Sequence, residues 1–349
     1  MRRTSTLIVM LVAMAVLLTT APTAARSKIA LGVSEPVGFE NSLAKVQARV
    51  QAHIDLYDRK PAMFSLWSNW GDRVNRKKCT DAPGYSCFFP RQEVEYLLSQ
   101  DISPVIWWQY TEPKNENSWL FQDYSAILRG KHDAYIKQWA RQLKRATAGA
   151  NVPVIVRPFH EATGRWFPWG TDKLTNSVAK YKKAWRKVVG IFRKVGAGKQ
   201  KAKFLWSNFS PRKSAYPGDK FVDYVGFTVM NYGKVRRNWR TMPSIVDKQM
   251  RVAKSFTRKP VIIAEIASYH KPKSKASWLK QGYLSAFKKH RQIKGILYLD
   301  ANLEGGQGGD QPDWRLIWPA DNPVLRNRSA VAAYRLLVNN WRFKGHIPK

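Results

Sequence analysis

The 349-residue sequence predicts a single-domain α/β fold, a (β/α)8 TIM barrel. Three observations predict it. Eight short runs rich in Val, Ile and aromatic residues are apolar on consecutive rather than alternate positions, as strands buried on both faces are. Longer amphipathic stretches separate them, which is the alternating order of a parallel sheet. No Pro, Gly or Ser-rich linker and no internal repeat divides the chain, and α/β barrels exceed ordinary domain length as single units.

The elements follow in order. The first strand is Ile-Ala-Leu-Gly-Val at 29–33, and an amphipathic helix at 43–54 follows it. The second strand, 62–67, leads to a helix at 91–100; the third, 104–108, ends in Trp107-Trp108 and leads to a helix at 132–147. The fourth strand, 153–157, precedes a helix at 175–194. The fifth, 203–208, and sixth, 224–230, are joined by a stretch at 210–220 that reads as loop. Helices at 243–256, 277–290 and 329–340 follow strands six, seven (260–265) and eight (295–299).

Lys and Arg number 60 against 24 Asp and Glu, a formal net charge of +36. With 44% hydrophobic residues and 15 Trp, the chain carries enough apolar surface to offset its ordering entropy, which excludes intrinsic disorder. Charge of this size raises nucleic-acid binding first. The amino terminus argues against it. Arg2 and Arg3, an apolar run at 7–18 and the small residues Ala21-Pro22-Thr23-Ala24-Ala25 form the three-part pattern of a secretory signal, with cleavage expected after Ala25. The expected domains are thus a signal peptide at 1–25 and a catalytic barrel at 26–349. Losing Arg2 and Arg3 lowers +36 by two, to +34. The expectation is an exported, extracellular protein without nucleic-acid partner or integral membrane contact after cleavage. Lys-rich stretches such as 180–187 and 199–203 fall on helices or their ends, where they read as solvated faces or as sites of association with an anionic polymer or cell surface. Cys79 and Cys87 lie in one loop-like stretch; an oxidising compartment favours a local disulfide over two buried thiols.

Barrel active sites form at the carboxyl ends of strands. Strand four ends in Arg157-Pro-Phe-His160-Glu161, and strand seven in Ala-Glu265-Ile-Ala-Ser268. A spacing of 104 residues, about three βα units, puts Glu161 and Glu265 across the mouth from each other. Two carboxylates facing a cleft lined with aromatics suit glycoside hydrolysis: one is protonated to assist the leaving oxygen, and one is ionised to attack or to activate water. This chemistry needs no metal and no cofactor. Trp107, Trp108, Trp166, Trp169, Trp206 and Tyr232 lie at or near strand ends, where aromatic rings pack on the C–H faces of sugars. Arg157, on the parity of Glu161, is placed below it, where its charge holds a carboxylate ionised.

The stretch Arg157-Pro-Phe-His-Glu-Ala-Thr-Gly-Arg-Trp-Phe-Pro-Trp-Gly170 resembles the acid/base signature of glycoside hydrolase family 26, in which His precedes the acid/base Glu. Pro260-Val-Ile-Ile-Ala-Glu265-Ile-Ala-Ser268 resembles the family's nucleophile strand. Asp300-Ala-Asn302 and Asp313-Trp-Arg315 resemble the end of its barrel, so the likeness runs over about residues 29–341. It implies Glu161 as general acid/base, Glu265 as nucleophile, and His160 as a residue that orients or binds the sugar. It implies a retaining enzyme, most directly an endo-β-1,4-mannanase, with polysaccharide as partner. β-Glucan, xylan and an acidic exopolysaccharide remain open as substrates, and a non-catalytic basic carbohydrate- or polyanion-binding protein is the reading of another class. Two positions depart from the family: Met230 stands where a Tyr is expected after strand six, with Tyr232 two residues on as a replacement, and Gln109 stands where a carboxylate is common.

Overall fold

The computed structural model describes residues 28–34, 42–70, 89–110, 123–172, 176–198, 200–233, 238–269, 274–303, 312–316 and 328–347. The signal peptide expected at 1–25 and the disulfide expected between Cys79 and Cys87 lie outside them.

Eight parallel strands close on themselves in sequence order. They are β1 (Ala30–Ser34), β2 (Met63–Asn69), β3 (Ser103–Gln109), β4 (Val154–Pro158), β5 (Ala202–Asn208), β6 (Tyr224–Asn231), β7 (Val261–Ser268) and β8 (Ile293–Leu299). β1 pairs with both β2 and β8, so no edge is left exposed. The described helices are α1 (Leu43–Tyr57), α2 (Arg91–Ser99), α3 (Tyr124–Leu128), α4 (Asp133–Ala146), α5 (Val178–Val195), α6 (Met242–Lys254), α7 (Lys275–Lys289) and α8 (Arg328–Asn339). Every strand and helix expected from sequence is present, with ends shifted by a few residues where caps decide them. Helix α5, for example, starts only after Ser177, whose hydroxyl accepts from the Lys180 amide, and stops at Gly196 in the left-handed region. Helix α3 is an addition, capped by Asp123. The connection from β5 to β6 holds two 3-10 turns, Lys213–Ala215 and Asp219–Phe221, in place of a crossover helix.

Two apolar layers result. Ala30, Met63, Val105, Trp107, Ile155, Leu205, Tyr224, Ile262 and Leu297 fill the barrel interior. The alternate residues, among them Ile106, Trp108, Val156, Phe204 and Trp206, pack outward against the helices. This alternation explains why the strands read as unbroken apolar runs. The C-terminal segment closes the floor: the Gly345 amide donates to the Ile29 carbonyl at 3.1 Å, and Ile347 joins the interior cluster. The mouth is left as the open end.

Candidate active site

Two local irregularities build the site. The first is on β7. Phe227 of β6 registers with Ile263, but the next residue, Thr228, registers with Glu265, so Ala264 is an extra residue in the strand. A bulge of this kind reverses the alternation beyond it. Ile262 faces inward and Ile263 outward; after the bulge Glu265 faces inward and Ile266 outward. Were Ala264 paired as an ordinary strand residue, strict alternation would point the Glu265 carboxylate at the helices.

The second irregularity follows β4. The strand stops at Pro158, and both Phe159 (φ 49°) and Glu161 (φ 52°) adopt the left-handed conformation. For residues with a Cβ this costs about 1–3 kcal/mol each and persists only where packing over-determines it. Packing does so here. The Phe159 ring is fully buried and meets Trp70, Tyr110, Tyr124, Tyr181 and Trp185 edge-on or tilted. The Glu161 amide donates to the Ser207 carbonyl of β5 at 3.0 Å. Strand parity therefore does not relate Glu161 to Arg157, as expected from sequence; a strained turn aims the side chain.

Arg157 does lie below, fully buried, but its close partner is the other carboxylate. Its Nη1 is 2.7 Å from Glu265 Oε1. Its Nε donates to Ser207 Oγ at 2.5 Å, and its guanidinium sits 4.4 Å from the Trp107 ring centroid. Glu161 is held from both sides. Trp166 Nε1 donates to its Oε2 at 2.9 Å, and the Thr228 hydroxyl donates to its Oε1 at 2.5 Å. Thr228 thus links the two acids: it holds one and is the strand partner of the other. Burial pushes the Glu161 carboxyl up to about 7, and repulsion from Glu265 pushes the same way; Arg157, Thr228 and Trp166 oppose it. An indole N–H can only donate, so Oε2 remains an acceptor in both protonation states. A hydroxyl can donate or accept, so Thr228 suits the ionised group and, after rotating, the acid with its proton on Oε1.

His160 sits in a box of rings. Its centroid is 4.5 Å from Phe167, 5.2 Å from Trp107 and from Trp169, and 6.2 Å from Trp67. Burial, aided by the Arg157 charge, holds it well below the usual imidazole range, so it is neutral. Among the described residues neither ring nitrogen has a hydrogen-bond partner.

The other expected aromatic residues separate by strand face. Trp166 is about half exposed beside Glu161, as a sugar-facing ring must be. Gly164 makes room for it: a Cβ there would come within 2.5 Å of the indole. Trp169 is 1% exposed, stacks on Phe167 and donates to the His160 carbonyl at 2.8 Å, so it braces the site from behind. Trp108 corrects the expectation of sugar contact. It points outward, fully buried, and stacks on Trp139 of α4. Its neighbour Trp107 has the inward parity and touches both Arg157 and His160. Trp206 likewise faces the helices, against Tyr216 and Phe256. Tyr232 lies over Trp314, ring centroids 5.2 Å apart.

Trp314 comes from the segment after β8. Asn302 and Asp313 form a bridge, the Trp314 amide donates to Ala301, and Tyr298 Oη donates to the Trp314 carbonyl at 2.8 Å. Buried Lys275 donates to the carbonyls of Trp314 and Arg315, at 3.3 and 3.2 Å. Burial lowers its ammonium to about 8, with Asp300 and Asp313 opposing. Asp313 in turn grips Arg315 with both oxygens, Oδ1 accepting from Nε and Oδ2 from Nη2.

A sequence profile of glycosyl hydrolase family 26 matches residues 99–293, more than half of the chain and the whole of the segment bearing both carboxylates. The chain belongs to glycosyl hydrolase family 26. Over 219 residues, 60% of its length, it is 30% identical to Endoglucanase H of Acetivibrio thermocellus. Over 114 residues it is 33% identical to a mannan endo-1,4-beta-mannosidase of Bifidobacterium adolescentis. The matched part is 22% of the first protein and 11% of the second, so this chain aligns with only a fraction of these larger relatives. In fold it is similar to a Bacteroides ovatus family 26 beta-mannanase, with a TM-score of 0.59 at 17% identity, covering 90% of this chain and 89% of that one. A Podospora anserina beta-(1,4)-mannanase of the family gives 0.57 at 18%, covering 90% and 62%.

Within this family 26 barrel, sequence reading missed Thr228 and Ser207, and it did not separate inward Trp107 from outward Trp108. The signal that finds Thr228 is its shared parity with Gly226; it lies two residues before the departure at Met230.

Proposed function

We propose that the chain is a retaining glycoside hydrolase acting on a β-linked polysaccharide, with β-1,4-mannan as leading substrate. Glu161 protonates the glycosidic oxygen while Glu265 attacks the anomeric carbon. Glu161, now ionised, then takes a proton from the water that releases the sugar. The observation that carries this reading is the unequal treatment of two neighbouring carboxyls. Glu265 is ion-paired with a fully buried arginine, and Glu161 is pushed up to about 7 by burial. Environments that drive two acids apart assign acid and nucleophile. Retention is supported by Thr228, which grips Glu161 and is paired with Glu265 across one strand spacing of about 4.8 Å. That arrangement favours the shorter carboxylate separation, which leaves no room for a water between Glu265 and the anomeric carbon. Trp166 offers its half-exposed ring to the sugar on the leaving side, and buried His160, boxed by Trp107, Phe167 and Trp169, orients the cleavage subsite.

β-Glucan is the second reading, favoured by the longest of these sequence matches, that to an endoglucanase. A reducing-end assay on β-mannan, glucomannan, mixed-linkage β-glucan and xylan separates the two. Mannan or glucomannan is expected to be cleaved fastest. Glu161→Gln and Glu265→Gln are each expected to lower kcat by about a thousandfold or more; full activity in either sinks the assignment. Export, with removal of 1–25, belongs to the same proposal and rests on the leader pattern; the amino-terminal sequence of the mature protein tests it.

A further inference from the structure

We propose that the groove between α4 and α5, on the outer flank of the barrel, binds a linear acidic polysaccharide, a polyuronate chain, at a site separate from the mouth.

The groove encloses about 730 Å³. Lys137, Arg141, Lys144 and Arg145 line it from α4, Lys194 from α5, and Lys201 just before β5. Helical spacing creates this row: positions 137, 141, 144, 145 and 148 share one face. Ala148, Ile191 and Val195 form an apolar floor. Five of the six cations are exposed, and among the described residues none of the six is paired with a carboxylate. The sequence has no acid from 173 to 218, so α5 cannot supply one.

Basic residues near helix C-termini are ordinarily explained by the helix dipole. That accounts for Lys144, Arg145 and Lys194, which lie in last turns. It does not account for Lys137 and Arg141, which are higher on α4, or for Lys201 outside both helices. Like charges four apart on a helix repel, and Lys137, Arg141 and Arg145 form two such steps. The fold therefore gathers a row of cations that a polyanion would relieve. From residue 137 to 148 the row extends about 16 Å at 1.5 Å per residue, which suits a chain rather than a single ion.

The surroundings favour a sugar polymer over other polyanions. A concave floor of small aliphatic side chains fits the C–H faces of sugar rings between carboxylate-bearing positions, and a bilayer surface would meet a convex patch better. Nucleic-acid single strands are held by stacking on aromatic rings, and the groove is lined by none. The last turns of α4 and α5, and the start of β5, lie at the end of the barrel opposite the mouth. A bound polymer would therefore hold the enzyme near its substrate without occupying the cleft.

The test titrates the full-length protein with polygalacturonate, with phosphatidylglycerol vesicles and single-stranded DNA as separate arms, at low salt. Polygalacturonate is expected to bind tightest, and added neutral β-mannan is expected not to displace it. The variant Lys137→Gln/Arg141→Gln/Lys144→Gln/Lys194→Gln is expected to weaken binding about tenfold or more. A control with as many cations removed elsewhere, Lys248→Gln/Arg251→Gln/Lys280→Gln/Arg291→Gln, is expected to change it less than about threefold, the part owed to net charge alone. Single reversal, Arg141→Glu, gives the same direction should the quadruple variant fold poorly. Equal losses in both quadruple variants, tighter binding to vesicles or DNA, or displacement by mannan would each overturn the proposal. The titration reads the groove whether or not mannan is hydrolysed, so its failure is distinct from failure of the hydrolase reading.

Discussion

At the scale of single residues the account turns on where one proton resides. Glu161 is pushed to about 7 from an ordinary value of 4.5, so its acid form is lost as pH rises through 7. The alkaline limb of kcat/KM is expected near pH 7. Trp166 and Thr228 both favour the ionised carboxylate. Trp166→Phe, which keeps a ring but removes the N–H, and Thr228→Val should each move that limb to higher pH; an unmoved profile in both removes them from the acid's environment. Stability carries the same sign. The folded state retains a proton that the unfolded chain releases between pH 4.5 and 7, so this group's contribution falls as pH rises through that window. Glu161→Gln is therefore expected to raise Tm relative to the parent at pH 8 and not at pH 4, read by calorimetry. The two catalytic candidates were legible in sequence because each follows a buried apolar run at a strand end. Their aim was not. A left-handed φ at Phe159 and Glu161 leaves no mark in a single sequence, since neither residue is a glycine.

At the scale of elements, strand order and every helix but the short α3 were legible, because hydrophobic runs and their spacing encode them directly. Facing was harder. Where both faces of a strand are buried, Trp107 and Trp108 look alike, yet one touches His160 and the other stacks inside the helix layer. The bulge at Ala264 is hidden for the same reason: in Val-Ile-Ile-Ala-Glu-Ile-Ala, an extra apolar residue disturbs no visible alternation. The segment after β8 shows a further link between packing and site. Lys275 ties down the carbonyls on either side of the Trp314–Arg315 bond, and Trp314 supports Tyr232. Lys275→Met should cost about 1–3 kcal/mol by removing a donor from the Trp314 carbonyl, which keeps Tyr298, and from the Arg315 carbonyl, visible as a lower denaturant midpoint. Unchanged stability would mean that Lys275 does not anchor this segment.

At the scale of the whole molecule, net charge and catalysis occupy different surfaces. The two acids and their arginine lie inside the barrel mouth, whereas the lysines and arginines that line the groove between α4 and α5 lie on its flank. Self-repulsion among 36 excess positive charges works against the compact state. Raising ionic strength from about 0.01 to 0.15 M shortens the screening length from about 30 to 8 Å and should raise Tm by a few degrees; a Tm that falls would show that ion pairs dominate instead. Composition announced this charge at once, but only the fold shows that it gathers into a groove.

The central claim is that Glu265 forms a covalent bond to the sugar while Glu161 manages the proton. Mass spectrometry of the Glu161→Gln protein after incubation with an activated aryl β-mannoside or β-glucoside tests it most directly. A good leaving group needs no acid, so the first step should proceed and the second should stall. The account predicts a one-sugar mass increase on the peptide containing Glu265. A label on another residue, or none while the aryl group is released with inverted sugar, would contradict it.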